Sequence, residues 1–206
     1  MALFLKIHPD NPSERLLRQA VEIIEKGGVI IYPTDTVYGI GCDITKSKAV
    51  ERVVSIKGER YNKANFSFIC HDIRQISEFT TPIDNNIFKL LRRNLPGPFT
   101  FILEANNNVQ KILKTSKKTV GVRIPDNKII TEIVKMIGNP ILTTSLKDHD
   151  EIVEYTTDPE LIYEDYRNLV DVVIDGGYGN NIASTVVDCT GNELEIIRQG
   201  IGELIL

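Results

Sequence analysis

The 206-residue sequence has no tryptophan, two methionines and three cysteines. Cys42, Cys70 and Cys189 are far apart and form no Cys-x-x-Cys pair, which removes the usual zinc-knuckle and dithiol spacings and predicts reduced, semi-buried thiols. His8, His71 and His149 are equally scattered. Asp148-His149-Asp150 offers ligands to a cation, but no second cluster stands at a metal-site spacing, so a solvated loop is the simpler reading. No apolar run approaches the roughly 20 residues that cross a bilayer. Met1 to Lys6 lacks the basic start and long apolar segment of a secretory signal, so a cytoplasmic protein without a membrane span is expected.

The common phosphate-binding signatures are missing too. There is no Gly-x-x-x-x-Gly-Lys-Ser/Thr, and Gly39-Ile40-Gly41 lacks the third glycine of a dinucleotide fingerprint. Any nucleotide must therefore be held by scattered polar groups. Ser145, Asp148 and His149 lie too close along the chain for an ordinary hydrolase triad, so covalent catalysis is not expected.

What is present is an ordinary globular composition, 42% hydrophobic and 25% charged, enough to bury a substantial core in one domain spanning 1–206. The most informative segment is Ile30-Ile31-Tyr32-Pro33-Thr34-Asp35-Thr36-Val37-Tyr38-Gly39-Ile40-Gly41-Cys42, an apolar strand that opens into hydroxyl, carboxylate and phenol groups. It builds either a pocket or a well-bonded turn in which Thr34 and Thr36 satisfy loop amides and the glycines allow a bend.

Periodicity organises the rest. Asn11-Pro12-Ser13-Glu14 predicts a helix start with Asn11 as cap, followed by Leu16, Leu17, Ala20, Val21 and Ile24 at helical spacing. Further helices are predicted over Ser47 to Ile56, after Asp72, over Ile83 to Leu91, over Ile129 to Ile137, and from Asp158-Pro159-Glu160. Strands are predicted at Ile30 to Tyr32, Phe66 to Cys70, Phe99 to Leu103, Thr119 to Ile124, Ile141 to Ser145 and Leu169 to Ile174, with Ser184 to Val187 and Leu194 to Ile197 as a closing pair. Closely spaced strands among the helices predict an α/β domain with a mixed sheet.

Several strands end in hydroxyl or basic side chains: Thr34 and Thr36, Ser145, Ser184 with Thr185, Arg123 and Arg198. An arginine alternating with apolar residues faces solvent or a polar cavity, because burying its charge unpaired is costly. The net charge of −4 hides a basic stretch, Lys46, Lys48, Arg52, Lys57, Arg60 and Lys63 against Glu51 and Glu59, and a second cluster at Lys111, Lys114, Lys117 and Lys118. These fit an anionic small molecule, an RNA edge, or simply a soluble face.

Taken together, these blocks resemble the YrdC/YciO family of threonylcarbamoyl-AMP synthases, and more closely its YciO-like branch. The resemblance runs through Tyr32 to Gly41, Ile56-Lys57-Gly58, Asn65 to Phe68, Leu95 to Thr100, Thr119 to Pro125, Thr143-Thr144-Ser145, Ala183 to Asp188 and Ile197 to Gly200. It implies a YrdC/RibB-like α/β fold, a twisted mixed sheet with flanking helices around a deep positively charged cavity. It implies a reaction in which L-threonine, bicarbonate and ATP, the last with Mg2+, give threonylcarbamoyl-AMP and pyrophosphate toward tRNA threonylcarbamoyladenosine. On the same grounds Lys57 and Arg60 are the catalytic candidates. Thr34, Thr36, Tyr38, Lys57, Ser67 and Arg123 are the substrate-binding candidates, and Lys57, Arg60, Thr143, Ser145, Ser184 and Arg198 the nucleotide-binding ones. No protein-held metal and no tightly bound organic cofactor are expected. Structured RNA such as tRNA and tRNA-modification transferase proteins are the partners it suggests.

The sequence departs from the family pattern at two places. Lys57-Gly58-Glu59-Arg60 replaces the usual Lys-x-Arg, and Ser145-Leu146-Lys147 carries lysine where Ser-x-Asn is usual. The match is to the catalytic domain alone, without the C-terminal domain of longer members. Two other functions stay open: an RNA-binding or ribosome-associated module of the same fold, and a related ATP-dependent enzyme acting on another amine.

Overall fold

Apolar stripes and side-chain caps set the helices. In the computed structural model, which describes residues 1–58, 66–113, 116–146, 156–191 and 193–206, helix α1 (Glu14–Glu25) buries Leu17, Ala20, Val21 and Ile24 along one stripe. Its start is later than the expected Asn11 cap. His8 Nδ1 accepts from the amides of Asp10 (3.2 Å) and Asn11 (3.4 Å), which ties both into a turn and moves the cap position to Ser13. Helix α2 (Ser47–Lys57) stops at Gly58, whose left-handed φ of 68° suits a residue without a Cβ. Asp72 caps α3 (Ile73–Ser77) as expected, and Asp84 caps α4 (Asn85–Asn94). A short α5 (Asn107–Leu113), not foreseen from its sequence, precedes α6 (Lys128–Ile137), which Gly138 ends. Helix α7 (Pro159–Tyr166) carries proline at its first turn behind the Asp158 cap.

Ten strands among the described residues form one sheet: β1 (Leu3–Lys6), β2 (Ile30–Tyr32), β3 (Gly39–Asp43), β4 (Ser67–Ile69), β5 (Phe99–Glu104), β6 (Thr119–Arg123), β7 (Ile141–Ser145), β8 (Val172–Asp175), β9 (Thr185–Asp188) and β10 (Glu195–Arg198). Their order is β1-β8-β2-β3-β7-β4-β6-β5-β9-β10, with parallel and antiparallel neighbours mixed, as the close strand spacing predicts. Strand β8 begins at Val172 rather than Leu169, because the amides of Leu169 and Val170 turn back to the Tyr166 carbonyl at the end of α7.

Alternation along the strands divides the core in two. Ile31, Ile40, Leu142, Phe68, Val122 and Phe101 join residues of α2, α4, α5 and α7 on one face. On the other, Ile30, Tyr32, Ile69, Ile141, Val172 and Ile174 pack against the buried stripes of α1 and α6. The second cluster holds no residue of β5, β6, β9 or β10, so α1 and α6 cover only part of that face. On the uncovered part the inward positions change from aliphatic to hydroxyl, glycine and arginine.

Gly39 and Gly41 are strand residues rather than a bend. Neither has a positive φ; a Cβ on Gly39 would stand 3.1 Å from the Tyr32 ring, and one on Gly41 would run into the Leu142 carbonyl. Their bareness makes room for Tyr32 and for close pairing of β3 with β7. Gly41→Ala should therefore destabilise the fold by about 1–3 kcal/mol through overpacking. Thermal denaturation would show it as a fall of about 2–12 °C for a domain of this size.

Candidate functional site

The uncovered part of the sheet floors a cavity of about 460 Å3. Strand β6 shows how sequence makes it: Thr119, Gly121 and Arg123 face the cavity while Val120 and Val122 face the apolar core. Ser67 of β4 stands between Thr143 of β7 and Gly121 of β6 in register, giving a row of small and hydroxylic residues across three strands. Thr100, Ser184 and Arg198 continue the lining toward the far edge, and Ser145 and Tyr38 close the near one.

Arg123 is the most constrained of these groups. It is 8% exposed, and its Nη2 donates to Asp35 Oδ1 at 3.1 Å and Thr36 Oγ1 at 3.0 Å. Its Nε is buried with no hydrogen-bond partner among the described residues. Burial pushes the Asp35 carboxyl above its usual range, against the pull of Arg123 and of the Asp126 amide. Burial also lowers Arg123, though a guanidinium stays charged at neutral pH. The contact joins the loop after β2 to the end of β6, strands that three others separate in the sheet.

Thr34 and Thr36 do not line the cavity; they stand behind Arg123. Thr34 Oγ1 accepts from the Thr36 amide (3.0 Å) and donates to the Val37 carbonyl (2.8 Å), so the well-bonded turn forms as well as the pocket. Tyr38 borders the cavity, and its hydroxyl donates to the Gly177 carbonyl (2.7 Å) and accepts from the Gly176 amide, bracing that loop.

Lys57, at the last position of α2, sends Nζ to the Ser145 carbonyl at 3.1 Å, which brings it beside the end of β7 without lining the cavity. Ser184 is buried and shares a 2.9 Å hydrogen bond with Thr100; its carbonyl accepts from Arg198 Nε (3.1 Å) and Nη2 (2.9 Å). Arg198 is thereby fixed at the rim, and among the described residues it has no carboxylate partner. Arg60, Glu59 and Lys147 lie outside the described residues, as do Asp148, His149 and Asp150.

Sequence reasoning quoted Tyr32 only within a matched segment and not as a site residue. Tyr32 is fully buried, and its hydroxyl donates to Thr143 Oγ1 at 2.5 Å, linking the helix-covered core to the cavity floor. The signal was a phenol at the end of an otherwise aliphatic strand, opposite two glycines.

The cysteine thiols are not activated as nucleophiles. Burial pushes the Cys42 thiol up to about 12 and raises Cys70 further. Among the described residues no three His, Cys, Asp or Glu side chains gather as a metal site. No described helix is long and apolar enough to cross a membrane. In the basic stretch, Arg52 is paired with Asp171 at 2.8 Å and bonded to the Leu169 carbonyl, which reduces what that face offers to a phosphate backbone.

A family model named Sua5_yciO_yrdC, described as telomere recombination, matches residues 22–200. YciO of Escherichia coli (strain K12) is 40% identical over 206 residues, covering 99% of this chain and 98% of the relative. Its crystal structure superposes with a TM-score of 0.90, at 38% identity and 98% coverage of both chains. A threonylcarbamoyl-AMP synthase of Nitrosococcus oceani is 33% identical over 129 residues, 63% of this chain and 69% of that protein. The crystal structure of P. abyssi Sua5 complexed with L-threonine has a TM-score of 0.86 at 25% identity, and this chain, 97% covered, spans 58% of it.

Proposed function

This chain belongs to the Sua5, YciO and YrdC family, and from that premise we propose that it is a threonylcarbamoyl-AMP synthase acting as one domain over residues 1–206. The observation that carries the reading is the convergence of Ser67, Thr143, Ser145, Ser184, Arg123 and Arg198, from strands far apart in sequence, on one cavity whose described lining includes Lys117 and no carboxylate. Such a lining supports the reading of an electropositive chamber, suited to an amino acid beside a triphosphate.

In this reading the threonine amine, once deprotonated, attacks the bicarbonate carbon and water leaves, giving a carbamate. A carbamate oxygen then attacks the α-phosphorus of ATP, the bond to the β-phosphate oxygen breaks, and pyrophosphate leaves. Positioning and charge stabilisation supply the catalysis, with no covalent enzyme intermediate. A chamber floored by the sheet also shields the carbamate from water.

Arg198 and Ser184 hold the nucleotide, with Thr143 and Ser145 along the floor. Lys57 and Arg60 act on the threonine carboxylate or neighbouring phosphates, Ser67 and Arg123 line the substrate end, and Thr34, Thr36 and Tyr38 fix that end in place. Mg2+ arrives with ATP as part of the substrate. Structured RNA and a tRNA-modification transferase are the partners that would consume the product.

Purified protein should release pyrophosphate only when threonine, bicarbonate and Mg-ATP are all present, as followed by a coupled phosphate assay. Release that ignores threonine would point to another amine. No release above a protein-free control, with an active family synthase run alongside, would refute the reading. Structured RNA that binds with a steep salt dependence in the absence of such release would favour the RNA-binding module.

A further inference from the structure

Helices α3 and α4 border a groove of about 510 Å3 that shares no lining residue with the chamber. Leu95 and Ile124, both buried, form its floor, and Ile73 of α3 and Phe88 of α4 stand at its sides. Helix α4 turns Leu90, Leu91 and Asn94 inward, which leaves Phe88 and, one turn on, Arg92 beside that buried face. Phe88 is 40% exposed.

The charge on this groove is unbalanced. Arg74 of α3 and Arg92 of α4 are exposed along it, and neither has a carboxylate partner among the described residues. The neighbouring Arg93, by contrast, is bonded to the Leu206 carbonyl. Asp72 is the one carboxylate in the described lining, and it is already engaged: Oδ1 accepts from the Gln75 amide at 2.8 Å as the α3 cap, and Oδ2 stands 3.6 Å from His71 Nε2. Gln75 Oε1 in turn meets the His71 amide at 3.0 Å and Nδ1 at 2.9 Å, so this end of the groove is held in place before anything binds.

A chain with a net charge of −4 therefore keeps two unneutralised guanidinium groups beside an apolar trough. Arginine next to an exposed aromatic is the composition of an interface hot spot. A phosphate backbone would find cations here but an apolar floor, and the carboxylate of one fatty chain would neutralise only one arginine. We propose that this groove docks an acidic peptide segment of a partner protein, with an apolar side chain on Leu95 and Ile124 and carboxylates on either side of it meeting Arg74 and Arg92. The proposal does not depend on the synthase reading.

The probe is a fluorescein-labelled peptide with leucine and phenylalanine at its centre and two glutamates on each side. Fluorescence anisotropy follows its titration with the full chain, without ATP or threonine. A micromolar dissociation constant is expected, weakening as salt screens the arginines. The double variant Arg74→Glu with Arg92→Glu, and separately Phe88→Ser, should each weaken binding about tenfold or more. Their melting temperatures should stay close to wild type, because all three side chains are exposed. Absence of binding at the highest soluble chain concentration, equal affinity for a peptide with lysine in place of glutamate, or wild-type affinity in the double arginine variant overturns the proposal.

Two further results would give the groove to another occupant and overturn it as well. Self-association in sedimentation velocity that the double arginine variant abolishes would assign the face to a second copy of the chain. A structured RNA that displaces the peptide, is lost in that variant and still binds Phe88→Ser would assign the arginines to a phosphate backbone.

Discussion

Arg123→Ala is expected to abolish pyrophosphate release and to lower the melting temperature by about 6–20 °C. The second figure follows from leaving one partner of a buried ion pair alone, which costs about 3–5 kcal/mol, at about 2–4 °C per kcal/mol for a chain of this length. Asp35 is the group left behind, its side chain 10% exposed and its carboxyl already pushed upward by burial. Without Arg123 the chief influence pulling it back down is gone, so its folded-state pKa rises further above the unfolded value.

The sign is fixed by linkage: a carboxyl whose pKa is higher folded than unfolded binds protons more tightly in the folded state, so its contribution worsens as pH climbs past the unfolded value of about 3.9. The stability deficit of Arg123→Ala against wild type should therefore be largest near neutrality and should shrink on acidification toward pH 4. Adding Asp35→Asn should recover much of the lost melting temperature at pH 7 without restoring activity. A deficit unchanged between pH 7 and pH 4 would mean that the ion pair is not what Arg123 contributes to the fold.

Gly121→Val should reduce pyrophosphate release by about 100-fold, the scale on which small displacements in a site act, with a smaller thermal effect than Arg123→Ala. A Cβ at Gly121 would stand 2.6 Å from Ser67 Oγ and 3.3 Å from Thr100 Cγ2, both side-chain atoms, and valine suits a strand. The Ser67 hydroxyl can rotate aside, so the sheet accommodates the change while the new methyl groups rise into the chamber. Unaltered turnover in a folded variant would show that the floor of this cavity is not where the chemistry occurs.

The sequence was most readable where neighbours along the chain decide the outcome. Caps at Asp72 and Asp158, the stop at Gly138 and the buried strand at Ile30 to Tyr32 all appear as expected, because each depends on a few adjacent residues. Strand β1, four residues with little alternation, is defined by pairing with β8 some 170 positions later, and nothing local announces it. The same limit governed the site. The arginines and hydroxyls were visible as strand-end residues, but that Thr36 accepts a hydrogen bond from Arg123 depends on a contact between residues 87 positions apart. The hydrogen bond between Tyr32 and Thr143, 111 positions apart, was invisible for that reason. Gly39 and Gly41 were legible as special, yet their purpose is set by the Tyr32 ring over Gly39 and the Leu142 carbonyl against Gly41 rather than by backbone freedom.

Strand β10 is the last of the sheet, joined only to β9, and all four of its residues are exposed. Arg198 hangs from this margin, whereas Arg123 is clamped from the interior by Asp35 and Thr36. The two guanidinium groups thus differ in mechanical compliance. Outer elements with few buried contacts open at lower free energy than packed ones, so slight fraying of the outermost strand widens one wall while the other keeps its shape. In the synthase reading proposed above, the triphosphate would enter and pyrophosphate would depart by that yielding side.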